Sequence, residues 1–409
     1  MIYFIVGKKT AAKSFESLYQ SDYLLNDLTQ KVLLPYIYET NNLINNAIHL
    51  YDDKGFGTII PTFDLGFTYN TGRLAGGFTT GMLVDWQSKI PFVPIDMTIK
   101  ECSVSVIELG TFFQEHLSSF DGKRIGDILE VLRKKGYSFN FSTGNHFITL
   151  CTDLNNKCYL VIHSGDDSYR NDSVGVYPSD KVWYKSMIKT LYNDTHTRYI
   201  KYLVDEPAKR FIEFALSNRN NVHMFHLEFA NMLYTMNCEE YFCNTYQHYG
   251  FHSEHTAVLG ACLVPKNSMF PVLSNQGLPI LLVRSSPDMW SVEIDNMEYS
   301  VFPHGWGQEI KNISRISVLD EKMQFLLNDG LLYETEIGYK IKIPKDFATI
   351  RILKNYESVV NGSVSFEKAW NNNFYGIIEK TLFPLASYNS DNNTIIYHKY
   401  KENYGTIFE

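Results

Sequence analysis

The chain has 409 residues, of which 44% are hydrophobic and 15% aromatic, and it carries a net charge of −8. That composition excludes an intrinsically disordered chain and a uniformly basic nucleic-acid coat, although a local basic groove remains compatible with it. No apolar run reaches the ~18 residues of a membrane helix, and the opening Met1–Gly7 is too short for a signal peptide. Cys102, Cys151, Cys158, Cys238, Cys243 and Cys262 show no repeated CxxC spacing, so a cytoplasmic protein without membrane contact or structural disulfides is expected.

In chain order, Ile2–Val6 reads as a strand, and apolar residues recur at helical intervals through Val32, Leu33, Ile37, Leu43 and Ile44, with Pro35 predicting a break between two helices. Residues 55–81 are rich in Gly, Thr and aromatics and predict short strands with tight turns. A strand then runs from Lys89 into Asp96, and Cys102 follows six residues later. An acid and a thiol at the two ends of one loop can both reach a metal; the plain alternative is a turn aspartate and a buried thiol. The stretch 121–136 has the apolar spacing of a helix, with basic residues in its last turn and Gly136 as its stop. Two strands follow on either side of a polar turn at 153–157, and His146 and His163 near strand ends form a candidate metal pair.

Residues 179–236 read as a helical hairpin. Its first helix opens at Asp205-Glu206-Pro207 and is ended by the polar run Ser217–Asn221; the second passes through Met224, Leu227, Ala230 and Leu233. His223 and His226 have a chelating spacing but read as surface or packed histidines. The chain returns to strands from Cys243, where His248, His252 and His255 crowd the approach to a small apolar strand. The final part predicts a helix at 320–329, strands at 338–343, a helix at 367–380 and a strand at 394–397. Between these lies Phe302-Pro303-His304-Gly305-Trp306-Gly307-Gln308. Small neighbours there let a ligand approach an imidazole that serves as nucleophile, base or ligand, or simply as a turn residue.

Four segments, Gly144-Asn145-His146-Phe147, Ile162-His163-Ser164-Gly165, His255–Ala261 and His304–Gln308, resemble in order the signatures of the RtcB-type RNA ligases. Phe214–Arg219 is similar to that family's FAxxNR segment, and Asp96 with Cys102 stands where its aspartate and cysteine metal loop belongs. The resemblance covers residues 55–385. It implies a single α+β domain over 1–409, with mixed sheets around a central metal site and peripheral helices. Residues 1–54 would be a divergent N-terminal part, 179–236 a helical hairpin insertion and 386–409 a divergent tail.

The activity implied is ligation of RNA 3′-phosphate or 2′,3′-cyclic phosphate ends to 5′-hydroxyl ends, in RNA repair or tRNA splicing. It would use GTP, two manganese ions and an archease-like activator. His304 would carry GMP; Asp96, Cys102, His146 and His163 would hold metal, with His248 and His255 competing for one further ligand position. Asn145, Ser285, Gly305 and Gly307 would contact the nucleotide. The sequence departs from the pattern at the Asp96 to Cys102 spacing, at Thr149 in place of a glutamate and at Gln308 in place of an arginine. Two alternatives are therefore carried: a metal-binding regulator or RNA-binding partner, and a metal-dependent cyclic phosphoesterase.

Overall fold

The computed structural model describes residues 4–6, 9–10, 27–68, 71–99, 101–111, 114–141, 146–166, 179–234, 243–273, 277, 279–285, 291–294, 297–303, 308–341, 348–350 and 377–398. The fold is α+β, with few helices packed on predominantly antiparallel sheets. An eleven-stranded sheet forms its centre. The strands run in the order Met269–Val272, Ile280–Arg284, Ile377–Asn389, Phe147–Thr152, Lys157–Gly165, Cys102–Thr111, Cys243–Ser253, Thr256–Leu259, Thr80–Gln87 and Phe56–Gly66, and Thr394–Tyr397 pairs with Ile377–Asn389. A five-stranded sheet combines Ala261–Pro265, Met297–Pro303, Ser291–Ile294, Phe4–Val6 and Lys9–Thr10. Mixed sheets are not what forms among the described strands: the central pairings are antiparallel, because short turns join many sequence neighbours directly.

Side-chain alternation divides the central strands between two cores. On Lys157–Gly165, Cys158, Leu160 and Ile162 face the helices, where they pack with Phe225 and Phe229. Tyr159 and Val161 face the opposite side with Val104, Val106 and Phe147. The helix Gly122–Lys134 forms as its sequence dictates: Asp121 accepts from the Arg124 amide at 2.9 Å and Gly136 stops it at φ 97°.

The helical hairpin is replaced by one 30-residue helix, Asp205–Tyr234. The polar run at 217–221 contains neither Gly nor Pro, and Asn218 is buried within a continuous stripe of Phe211, Ala215, Val222, Phe225, Phe229 and Leu233. Helix Leu28–His49 likewise passes through Pro35 without ending. Pro35 and Lys31 lie on the exposed side, so water can serve the carbonyl that the missing N–H abandons. The helix expected at 320–329 is a strand, Lys322–Leu327, entered through a two-residue hairpin turn in which Asp320 and Glu321 have φ of 48° and 59°. Likewise, 377–380 belong to strand Ile377–Asn389, while 367–376 lie outside the described residues. Gly338 occupies a turn after Leu332–Glu336, so that strand ends before the segment predicted for it.

Candidate metal centre

Cys102 opens its strand opposite Gly165, and alternation places it on the face of Val104 and Val106. His163 shares that face with Val161 and Tyr159 on the neighbouring strand. His146 directly precedes Phe147–Thr152, and its ring lies over Gly165, where a Cβ would come within 3.0 Å of Cε1. Glycine is therefore what admits the imidazole. His248 arrives by a different device. On Cys243–Ser253 the ladder slips between Gln247, opposite Ser103, and Tyr249, opposite Cys102. The extra residue in this bulge is His248, and such bulges re-aim side chains.

The result is a tight cluster. Cys102 Sγ lies 3.2 Å from His146 Nε2 and 3.4 Å from His163 Nε2, and His163 Nε2 lies 3.1 Å from His248 Nε2. In a tetrahedral site with metal–nitrogen bonds near 2.05 Å and metal–sulfur bonds near 2.3 Å, ligand atoms are about 3.3–3.6 Å apart. The observed spacings are slightly shorter and of that kind. The ligand atoms of Cys102, His163 and His248 all lie within 4.8 Å of one another, and all three residues are buried. A thiol and two imidazoles form a borderline-to-soft donor set that suits a transition-metal ion, which would also hold the thiolate deprotonated, while His146 stands outside this set and reaches it through Cys102 Sγ.

Asp96 is not part of this group. It lies in the turn Ile95–Met97, where Oδ2 accepts from the Lys201 amide at 2.6 Å. Burial pushes its carboxyl up to about 7, against the opposing charge of Lys201. The expected acid and thiol pair thus separates, because the acid is consumed in the contact between its turn and strand Tyr199–Val204. Of the two competing histidines, His248 enters the cluster. His255 occupies the next hairpin turn, its carbonyl accepting from Trp86, beside a cleft of about 420 Å³ lined also by Lys209, Glu213 and Glu254.

Ser285 is buried, and its Oγ accepts from the Asn267 amide at 2.9 Å, fastening the hairpin of Met269–Val272 and Ile280–Arg284. Asn145, His304, Gly305 and Gly307 lie outside the described residues. Strand Met297–Pro303 places Pro303 opposite Ala261, and the adjoining Gly260 amide donates to the His248 carbonyl at 2.7 Å.

Glu101, which the sequence reading passed over, is fully buried beside Cys102. Its carboxylate accepts from Gln247 Nε2 at 2.7 Å and Ser103 Oγ at 3.0 Å. Burial raises it to about 8, against those two hydrogen bonds. Its position immediately before the thiol was the available signal. Comparison with protein-family models gives no match for this chain, and no curated protein matches it.

Proposed function

We propose that the chain is a metal-dependent enzyme acting on phosphorylated RNA ends in the manner of the RtcB-type ligases. The observation that carries this reading is the meeting of Cys102, His146, His163 and His248, four residues from separate segments to which the resemblance gives one role. A bound ion would neutralise phosphate charge and orient in-line attack. Cys102, His163 and His248 would hold it, with His146 against the thiol. With Asp96 bound elsewhere, the described donors fit one ion, and their softness suits zinc or iron as well as manganese.

In this proposal the His304 imidazole attacks the α-phosphorus of GTP and releases pyrophosphate. GMP then passes to an RNA 3′-phosphate, and a 5′-hydroxyl attacks the activated phosphate to form the phosphodiester and release GMP. A cyclic phosphate end is first opened by water. The test is incubation with labelled GTP and manganese, zinc or cobalt. A protein-bound label lost in His304→Ala is expected, and no label with any metal would overturn the ligase reading. Gln308 and the displaced Asp96 favour, as a second reading, a metal-dependent phosphoesterase; opening of a 2′,3′-cyclic phosphate without a labelled adduct would select it.

A further inference from the structure

The strands that present Cys102, His163 and His248 carry a second polar cluster on their helix-facing side. There Ser164 Oγ lies 2.7 Å from His226 Nε2, and His226 Nδ1 lies 2.8 Å from Ser105 Oγ. Ser105 Oγ is 2.6 Å from Thr245 Oγ1, which is 2.7 Å from His223 Nδ1. Ser164 follows ligand His163, Ser105 shares a strand with Cys102, and Thr245 shares one with His248. Both histidines come from the helix Asp205–Tyr234. One hydrogen-bonded chain therefore ties together the three strands that bring these ligands to the opposite face.

We propose that His226 is a positioning residue for the metal centre, bridging the Cys102 and His163 strands from behind and, through Thr245, fixing the His248 strand as well. Apolar side chains would fill this interior at lower desolvation cost, since His226 is fully buried among Phe225, Phe229 and the aliphatic residues of the helix-facing core. A satisfied polar chain adds what apolar packing lacks, a penalty for any change of register. That matters here because the ladder of the His248 strand shifts register at the bulge, and the ligand depends on that shift being held. The imidazole is well suited to the task. It offers one donor and one acceptor to two hydroxyls that rotate to match, and burial, with His163 and His223 nearby, pushes it down to about 3, so it stays neutral.

The inference rests on the metal centre of the proposed function and not on its ligase chemistry. The experiment is cobalt(II) titration of the full chain, followed by absorption spectroscopy, for the parent, Ser164→Ala and His226→Gln, with urea unfolding of each metal-free protein. Ser164→Ala removes one hydroxyl and keeps the strand. Affinity for cobalt is expected to fall on the order of tenfold to a hundredfold in both variants, with shifted ligand-field bands. Parent-like affinity and spectrum in Ser164→Ala would overturn the brace, whether or not His226→Gln folds. A parent that takes up no cobalt would overturn the brace and the metal centre together, whereas cobalt binding without a labelled GTP adduct removes only the ligase reading.

Discussion

The two faces of the Cys102, His163 and His248 strands meet the same demand in opposite ways. Toward the helices, every imidazole meets only hydroxyls, so each contact can join a donor to an acceptor and the chain closes without an ion. On the other face a thiol and two imidazole nitrogens lie within 4.8 Å of one another, with His146 against the thiol, and a cation would satisfy the three at once. Burial does not separate the two roles, since His226 is 0% exposed and His163 5%. What differs is whether a histidine's neighbours are groups that can both give and take a proton, or groups that compete to offer electron pairs.

The contrast breaks most sharply at His163, whose Nε2 is within 3.4 Å of Cys102 Sγ and 3.1 Å of His248 Nε2. His163→Ala is expected to weaken cobalt binding by at least two factors of ten, ~2.7 kcal/mol, and an unchanged dissociation constant would dissolve the distinction between the faces. On the helix side Phe225→Ala is the corresponding blow. The ring stacks on Phe139 at 4.3 Å and is fully buried, so urea unfolding should show a loss of about 3–5 kcal/mol. A loss below ~1 kcal/mol would mean that this core is not what the helix Asp205–Tyr234 packs upon.

Acid sharpens the same comparison. Burial holds His226 at about 3 and His252 at about 4, both below the ordinary 6.5. Between those values and 6.5 the unfolded chain takes up protons that the folded chain refuses. The stability contributed by these two imidazoles is therefore full above pH ~6.5 and declines as pH falls toward 4, with the His226 part on the order of a few kcal/mol, whereas the raised carboxyls of Asp96 and Glu101 contribute in the opposite sense. Replacing His226 with Gln should flatten that decline in pH-dependent urea unfolding; an identical slope would contradict a neutral, buried bridge. The smallest effect is expected from Gly165→Ala. The added methyl would sit 3.0 Å from His146 Cε1 and 2.9 Å from the Glu101 carbonyl. Displacing the half-buried His146 should cost about tenfold in cobalt affinity, ~1.4 kcal/mol, while leaving His163 and His248 in place.

The central strands and the helix Gly122–Lys134 were legible because each obeys its own local period, with Asp121 and Gly136 marking the ends of the helix. His146 and His163 were legible for a related reason: each stands at a strand end beside Gly or a small polar residue. Choosing His248 over His255 needed the pairing with the Cys102 strand, a long-range contact that no local pattern contains. The run Ser217–Asn221 and Pro35 looked like breaks, yet tertiary packing of the surrounding apolar stripes carried both helices through. Asp320-Glu321 failed in the other direction. The stretch from Asp320 to Asp329 reads as a helix, whereas left-handed backbone angles at Asp320 and Glu321 make a hairpin turn there.

The bulge at His248 gives the centre a sensitivity that substitution alone would not expose. A ligand supplied by a supernumerary residue is specified by counting as well as by chemistry. His248 is the one residue between Gln247 and Tyr249, so deleting it would mend the ladder against Ser103 and Cys102 as it removes the imidazole, whereas substituting it would leave the bulge without its ligand. In this strand, a change of length by one thus takes away ligand and irregularity together.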